Sequence, residues 1–416
     1  MKEENLHSEG QSASHKPVHP ALFTLLILPM GISGGYVSVT LAYLFSKAGI
    51  PVEKVAALVA ATLLPHIFKF IWAPLVDTTL SLKKWYLIAN IISALGILAT
   101  GILPIKNSSL PLLTIIIIVC NFFVTFVCMA TEGLMAYDVP EEFKGRAGGY
   151  FQAGNLGGAG LGGGAGLWLA QRVTDAWMVG AVLAITCLLS SCALLFLKEP
   201  KSTIREHHLS DTYRNLFKDV WGTLKTKMGI LAMILCFLPL GTGAASNLWS
   251  AVAKDWSASA DTVALVTGVL AGILSAVGCL AGGWLCDRMN RQVAYLFFGL
   301  SGAACVVAMA YSPKSEFMYI IWTSFYAISS GLAYAGFTAF VLEAIGKGAA
   351  ATKYNIYAAL SNSPIYLMTY IDGWAHTRWG PKGMLNTEAV FAVAAVLLFL
   401  LVQTILAKVK MKTVSL

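Results

Sequence analysis

Trp72-Ala-Pro-Leu-Val-Asp77, followed by Lys83 and Lys84, returns 210 residues later as Gly282-Gly-Trp-Leu-Cys-Asp287, followed by Arg288 and Arg291. Each copy closes an apolar stretch with a tryptophan, an aspartate and two cations. Working outward, Arg146 and Lys353, Tyr150 and Tyr357, and Asn155 and Asn362 are each separated by 207 residues. Four matches in nearly one register describe an internal repeat of half the chain. In an apolar chain, such a repeat predicts two homologous helical bundles related by an axis along the membrane normal, with a solute path between them.

The 416 residues are 57% hydrophobic and only 12% charged, about half the charged fraction of a soluble domain. Runs long enough to cross roughly 30 Å of hydrocarbon recur at 21–46, 54–77, 84–104, 110–138, 145–171, 176–197, 227–254, 262–286, 292–312, 317–345, 352–377 and 387–407. They are too long for barrel strands and lack alternation. Helices remain, because each must satisfy its backbone groups internally. The expected fold is an all-α membrane protein with 12 transmembrane helices in two pseudo-symmetric six-helix bundles. The expected divisions are a disordered tail over 1–20, bundles over 21–197 and 227–408, a linker over 198–226 and a tail over 409–416.

The net charge of +8 orients the chain rather than recruiting nucleic acid. Of 29 Lys and Arg, twenty fall in the termini and even-numbered loops, eight in odd-numbered loops, and Lys69 inside a span. The positive-inside rule then places both termini in the cytoplasm. The eight cysteines lie in or at the ends of spans without metal-ligand spacing. They read as small apolar residues in a reducing compartment. Residues 1–20 lack the basic-then-apolar pattern of a signal peptide, and His7, His15 and His19 read as part of a polar tail. The linker spaces Leu209, Tyr213, Leu216, Phe217, Val220 and Trp221 at nearly helical intervals, which predicts an amphipathic helix on the membrane surface.

Charges inside the membrane cost about 2.5–3.5 kcal/mol each on insertion scales, so each needs a partner, a cavity or a task. Lys69 lies eight residues before Asp77, roughly 12 Å along the helix. It reads either as a cation offered to an anionic solute, with His66 and Trp72 nearby, or as one member of an ion pair bracing two helices. Glu132 reads either as a carboxylate that loads and releases a proton or as Lys69's permanent partner. Asp372, followed by His376 and Arg378, has a solute, gating or proton role open to it, against local pairing with Arg378. Asp77, Asp138, Arg146, Asp287, Arg288, Arg291 and Glu343 sit at span ends and read as conformational latches.

The glycine-rich fifth span lacks the following Lys-Ser/Thr and preceding strand of a phosphate loop. Its small faces suit close, sliding helix contact, and Gln152 and Asn155 are its candidate cavity polars. In the second half, Asn247, Trp249, Trp322, Tyr326, Tyr334, Tyr354, Asn355, Tyr357, Asn362, Tyr366 and Tyr370 form a polar aromatic set. Tyr354, Asn355 and Asn362 are the preferred solute contacts. No cofactor, metal or catalytic constellation is expected. His66, Asp372 and His376 are too scattered for a membrane enzyme. A receptor that binds without translocating and a drug exporter remain open.

The segment 282–291 resembles the G-x-x-x-D-R-x-x-R loop of the major facilitator superfamily. In the first copy Ala73 and Pro74 stand where Gly is usual, and Thr78 where Arg is usual. The stretch 65–77 is similar to the "KFLWAPLVD" pattern of the branch containing muropeptide permeases, acetyl-coenzyme A transporters and single-polypeptide siderophore permeases. Residues 28–35, Thr131-Glu132-Gly133-Leu134 and 351–362 resemble further stretches of that branch. Cys128 stands where many members carry an acid. Muropeptide permeases often have two more helices than are found here, so the siderophore subset is nearer in size. Lys69 points to a polar, anionic organic solute, and Glu132 with the lack of a nucleotide-binding motif points to proton coupling; the resemblance implies import, and a monomer in a bacterial inner membrane is expected. A siderophore or muropeptide-like compound leads, with acetyl-coenzyme A behind.

Overall fold

A computed structural model describes residues 19, 21–138, 144–198, 225–286, 288–345 and 356–414, with isolated positions between 210 and 222. Among these residues the secondary structure is helical. We label the helices α1 (Ala21–Lys47), α2 (Val52–Val76) and α3 (Leu82–Ile102), then α4 (Leu110–Asp138). Next come α5 (144–170) and α6 (Ala176–Phe196). The second half holds α7 (Lys227–Phe237), α8 (Ala260–Cys286), α9 (Arg291–Tyr311) and α10 (Glu316–Ile345). It closes with α11 (356–379) and α12 (381–414).

Nine stretches among the described residues are long and apolar enough to cross a membrane, the last being Ile356–Ile405. That stretch is a hairpin. Gly380 turns the chain at φ 69°, and Pro381, with its fixed φ and missing N–H, is suited to the first position of the helix that follows. The sequence predicts one continuous span over 227–254, and here the structure differs. Helix α7 ends at Phe237, and Pro239 with left-handed Gly241 and Gly243 leads into short helical turns over Ala244–Trp256. Proline lacks the donor for a continuing helix and glycine tolerates positive φ, so the break is built into the sequence.

The repeat is visible in packing as well as in sequence. Tyr86 of α3 donates its hydroxyl to the Leu26 carbonyl of α1 at 2.7 Å, and Tyr295 of α9 donates to the Leu240 carbonyl beyond α7 at 2.7 Å. The two tyrosines are 209 residues apart. In the same way, Thr24 of α1 donates to the Tyr150 carbonyl at 2.9 Å, while Cys236 of α7 donates to the Tyr357 carbonyl at 3.4 Å. Each half therefore ties its third and fifth helices to its first through equivalent groups.

The halves meet at the end formed by the odd-numbered loops. The Glu53 N–H of α2 donates to the Thr377 hydroxyl of α11 at 3.1 Å. The Ser46 hydroxyl donates to the Ala251 carbonyl, and Arg172 pairs with Asp261 at 3.6 Å. Below these contacts α5 crosses α8 through Gly164 and Gly268, where both helices carry a π-helical turn, Gly160–Ala165 and Ala264–Leu270. At the described positions of the linker the backbone is helical, and exposed Phe217 stacks on exposed Trp221. The expected tail over 1–20 lies outside the described residues except for His19. Helix α12 continues to Val414.

Candidate functional site

Two polar clusters interrupt the apolar interior, one in each half. The first gathers side chains from α1, α2 and α4. Lys69 of α2 lies 4.0 Å from Glu132 of α4. The thiol of Cys128, one turn before Glu132, donates to the same carboxylate at 3.3 Å. His66, three residues before Lys69 and so on the same helix face, bonds to Asn121, whose carbonyl accepts from Ser33 of α1 at 3.5 Å. The Lys69 and Glu132 side chains keep 15% and 30% of their surface exposed. The pair is therefore only partly buried.

Trp72 of α2 packs against α4. Its indole N–H donates to Thr125 at 2.9 Å and its ring lies 4.8 Å from Phe122. On α5, Asn155 donates to exposed Gln152 at 3.4 Å. Asn362 bonds to the Ala358 and Ala359 carbonyls of its own helix.

The second cluster gathers side chains from α10, α11 and α12. Asp372 of α11 is fully buried, and neither carboxyl oxygen has a hydrogen-bond partner among the described residues. Glu388 of α12 is 8% exposed and accepts from the Tyr326 hydroxyl of α10. Trp249 packs edge-on against Tyr326 at 5.3 Å. Asn247, in the turns beyond α7, donates to Thr369, one turn before Asp372, at 3.0 Å. A cavity opens beside this cluster at the break in α7, lined by Gly241, Thr242, Gly243, Tyr326, Ser330 and Glu388.

The alternative of local pairing between Asp372 and Arg378 is not what forms. Arg378 lies over the Trp374 ring at 4.5 Å. His376 instead pairs with Asp255 at 2.6 Å. Asp372 is also fully buried.

Among the latch candidates, Asp77 lies at the end of the helix that continues α2, Arg146 in the first turn of α5 and Glu343 in the last turn of α10. Asp138 ends α4 half-buried. Arg288 covers the Trp284 ring at 3.8 Å and donates to its carbonyl at 3.2 Å, and Arg291 opens α9. Asp287, Tyr354 and Asn355 lie outside the described residues.

Glu388 is the residue that sequence reading passed over. As the second residue of a run drawn from 387, it looks interfacial. Counting from the Gly380-Pro381 turn instead puts it two turns inside α12.

The family model described as Major Facilitator Superfamily matches residues 22–369. The chain belongs to the major facilitator superfamily. Membership makes it a multi-pass membrane transporter and not an enzyme. Within the superfamily, it is 25% identical over 350 residues to the anhydromuropeptide permease of Escherichia coli K12, covering 79% of this chain and 68% of that protein.

Solved structures share the fold at low identity. A D-xylose–proton symporter gives a TM-score of 0.67 at 16% identity, covering 91% of this chain and 95% of that one. A bacterial homologue of the human lysosomal transporter Spinster, inward-facing and unoccupied, gives 0.66 at 14%, covering 92% and 96%. The nucleoside transporter NupG gives 0.68 at 12%, covering 92% and 98%.

Proposed function

We propose that this transporter imports a polar, anionic organic solute together with protons, by alternating access. The observation that carries the reading is the partly exposed Lys69–Glu132 pair. A lysine inside the membrane that is paired but still reachable can exchange its carboxylate for an anionic group of the solute. Glu132, once released, becomes free to take a proton, and Asp372 is a second carboxyl available for coupling. Trp72, Gln152, Asn155, Tyr354, Asn355 and Asn362 are assigned to solute contact.

The solute class is muropeptide-like, supported by the permease relative at 25% identity. A siderophore is the second reading, resting on the resemblance of residues 28–35, 65–77 and 351–362 to the branch that includes siderophore permeases.

In this scheme the six-helix halves 21–197 and 227–408 rock about the linker 198–226, with Asp77, Asp138, Arg146, Asp287, Arg288, Arg291 and Glu343 as latches. The protein acts as a monomer in a bacterial inner membrane with both termini cytoplasmic. With that orientation the joined end carrying Ser46, Glu53 and Arg172 is the outer one, and the conformation is inward-facing.

The test is internal pH in proteoliposomes offered an anhydromuropeptide, a siderophore and acetyl-coenzyme A in turn. Acidification with the first supports the full reading. Acidification with the siderophore alone keeps symport and changes the solute. No pH change despite uptake of labelled solute rejects proton coupling.

A further inference from the structure

Asp372 and Glu388 stand eight residues before and eight after Gly380, so the α11–α12 hairpin carries both carboxyls roughly 12 Å from its turn. Three features separate this pair from a structural ion pair. First, among the described residues Asp372 is fully buried with both oxygens unpartnered, and Glu388 has a second oxygen unpartnered. Second, the nearby cations along the hairpin are engaged elsewhere: Arg378 on Trp374, Lys382 on Tyr311 and His376 on Asp255. Third, the side chain bonded to Glu388 is a donor, the Tyr326 hydroxyl.

Among the described residues, no cation is bonded to either Asp372 oxygen or to the second Glu388 oxygen. Cys305 faces Glu388 from α9, and the Ala245 N–H faces it from the turns beyond α7. From α2, Glu53 lies against Gly373.

Two ionised carboxyls in such a place would each bear the cost of an unpaired charge in the membrane interior. A proton removes one charge, and it also supplies the donor that the orphan oxygens lack. We propose that Asp372, Glu388 and Tyr326 form a single buried proton-binding site joining α10, α11 and α12. The proton is held between the carboxyls, and Tyr326 fixes Glu388 so that the carboxyl can exchange it through the cavity at the α7 break. Because that break flanks the cavity, movement of α7 between the two access states would open and close the site. That this proton is the transported one rests on the symport reading above.

The site is testable without knowing the solute. Infrared difference spectra of the purified full-length protein, taken between acidic and alkaline buffer, read the carbonyl stretch of protonated carboxyls. The wild type is expected to gain that band on acidification. Glu388→Gln and Asp372→Asn are each expected to remove most of the gain, and Tyr326→Phe to shift the band while keeping its amplitude. An undiminished band in both carboxyl variants overturns the proposal, as does loss of the wild-type band on adding sodium at constant pH, which would make the ligand a metal cation. In proteoliposomes, Glu388→Gln is expected to keep solute exchange and lose accumulation driven by a pH gradient. A wild type whose carboxyl band titrates through Glu388 but which moves solute without protons leaves the site standing and rejects the symport reading alone.

Discussion

Gly164 of α5 and Gly268 of α8 meet with no side chain between them: a Cβ on Gly268 would fall 2.4 Å from the Gly164 Cα. The two halves approach here through bare backbone, at a point where each helix is already loosened into a π-helical turn. Such a contact can slide without unlocking interdigitated side chains.

Substituting Gly268 by Ala therefore forces the helices apart at this crossing. Overpacking of this kind costs about 1–3 kcal/mol, and it acts on the conformation in which this end is closed. Initial uptake should slow, while a cysteine introduced at Ser46 should become more reactive towards a membrane-impermeant thiol reagent. A wild-type uptake rate in Gly268→Val would show that the crossing does not need to close.

Lys69→Ala should weaken solute binding by about tenfold or more, equivalent to ~1.4 kcal/mol. Removing one partner of a buried pair leaves an uncompensated charge worth about 3–5 kcal/mol. The 30% exposure of Glu132 reduces that penalty here. Lys69→Ala/Glu132→Gln should recover thermal stability without recovering affinity. Equilibrium binding with labelled solute separates the effects, and unchanged affinity in the single variant would sink the anion-anchor role.

Tyr86→Phe and Tyr295→Phe should destabilise the protein by similar amounts. Each removes a hydrogen bond to a buried carbonyl, that of Leu26 or Leu240, at a cost of about 0.5–1.5 kcal/mol. Thermal unfolding in detergent compares them directly. A neutral Tyr295→Phe beside a damaging Tyr86→Phe would mean that the two bonds are not equivalent.

The reach and the limits of the sequence follow from the physics of each element. Hydrophobic length identifies the long spans because lipid demands about 20 apolar residues per crossing. The half-chain repeat shows because equivalent positions such as Tyr150 and Tyr357 keep equivalent contacts. The break after Phe237 was hidden because Pro239, Gly241 and Gly243 lie in a run whose average hydropathy still suits a helix. The Lys69–Glu132 pairing was one of two readings open in the sequence, because charges in lipid have few available partners. Glu388 escaped because a span boundary drawn by hydropathy can place a charge at the interface. Its depth depends on where the hairpin turns, and that is set by Gly380. The partner of His376 was equally illegible, since Asp255 is 121 residues away and only the tertiary fold brings it near.

Glu132→Gln separates solute movement from energy coupling. Glutamine preserves the shape and a carbonyl acceptor for the Cys128 thiol, but it can neither pair with Lys69 as an anion nor carry a proton. Lys69 then loses a competitor, so solute affinity should rise or hold. Exchange of labelled for unlabelled solute should continue, because that half-cycle needs no net proton movement. Accumulation driven by an imposed pH gradient should fall to the level of protein-free liposomes. Uphill uptake at the wild-type rate in this variant would remove Glu132 from the coupling step and leave the carboxyls of α11 and α12 to carry it. Loss of exchange as well would instead make the Lys69–Glu132 pair a structural brace between α2 and α4.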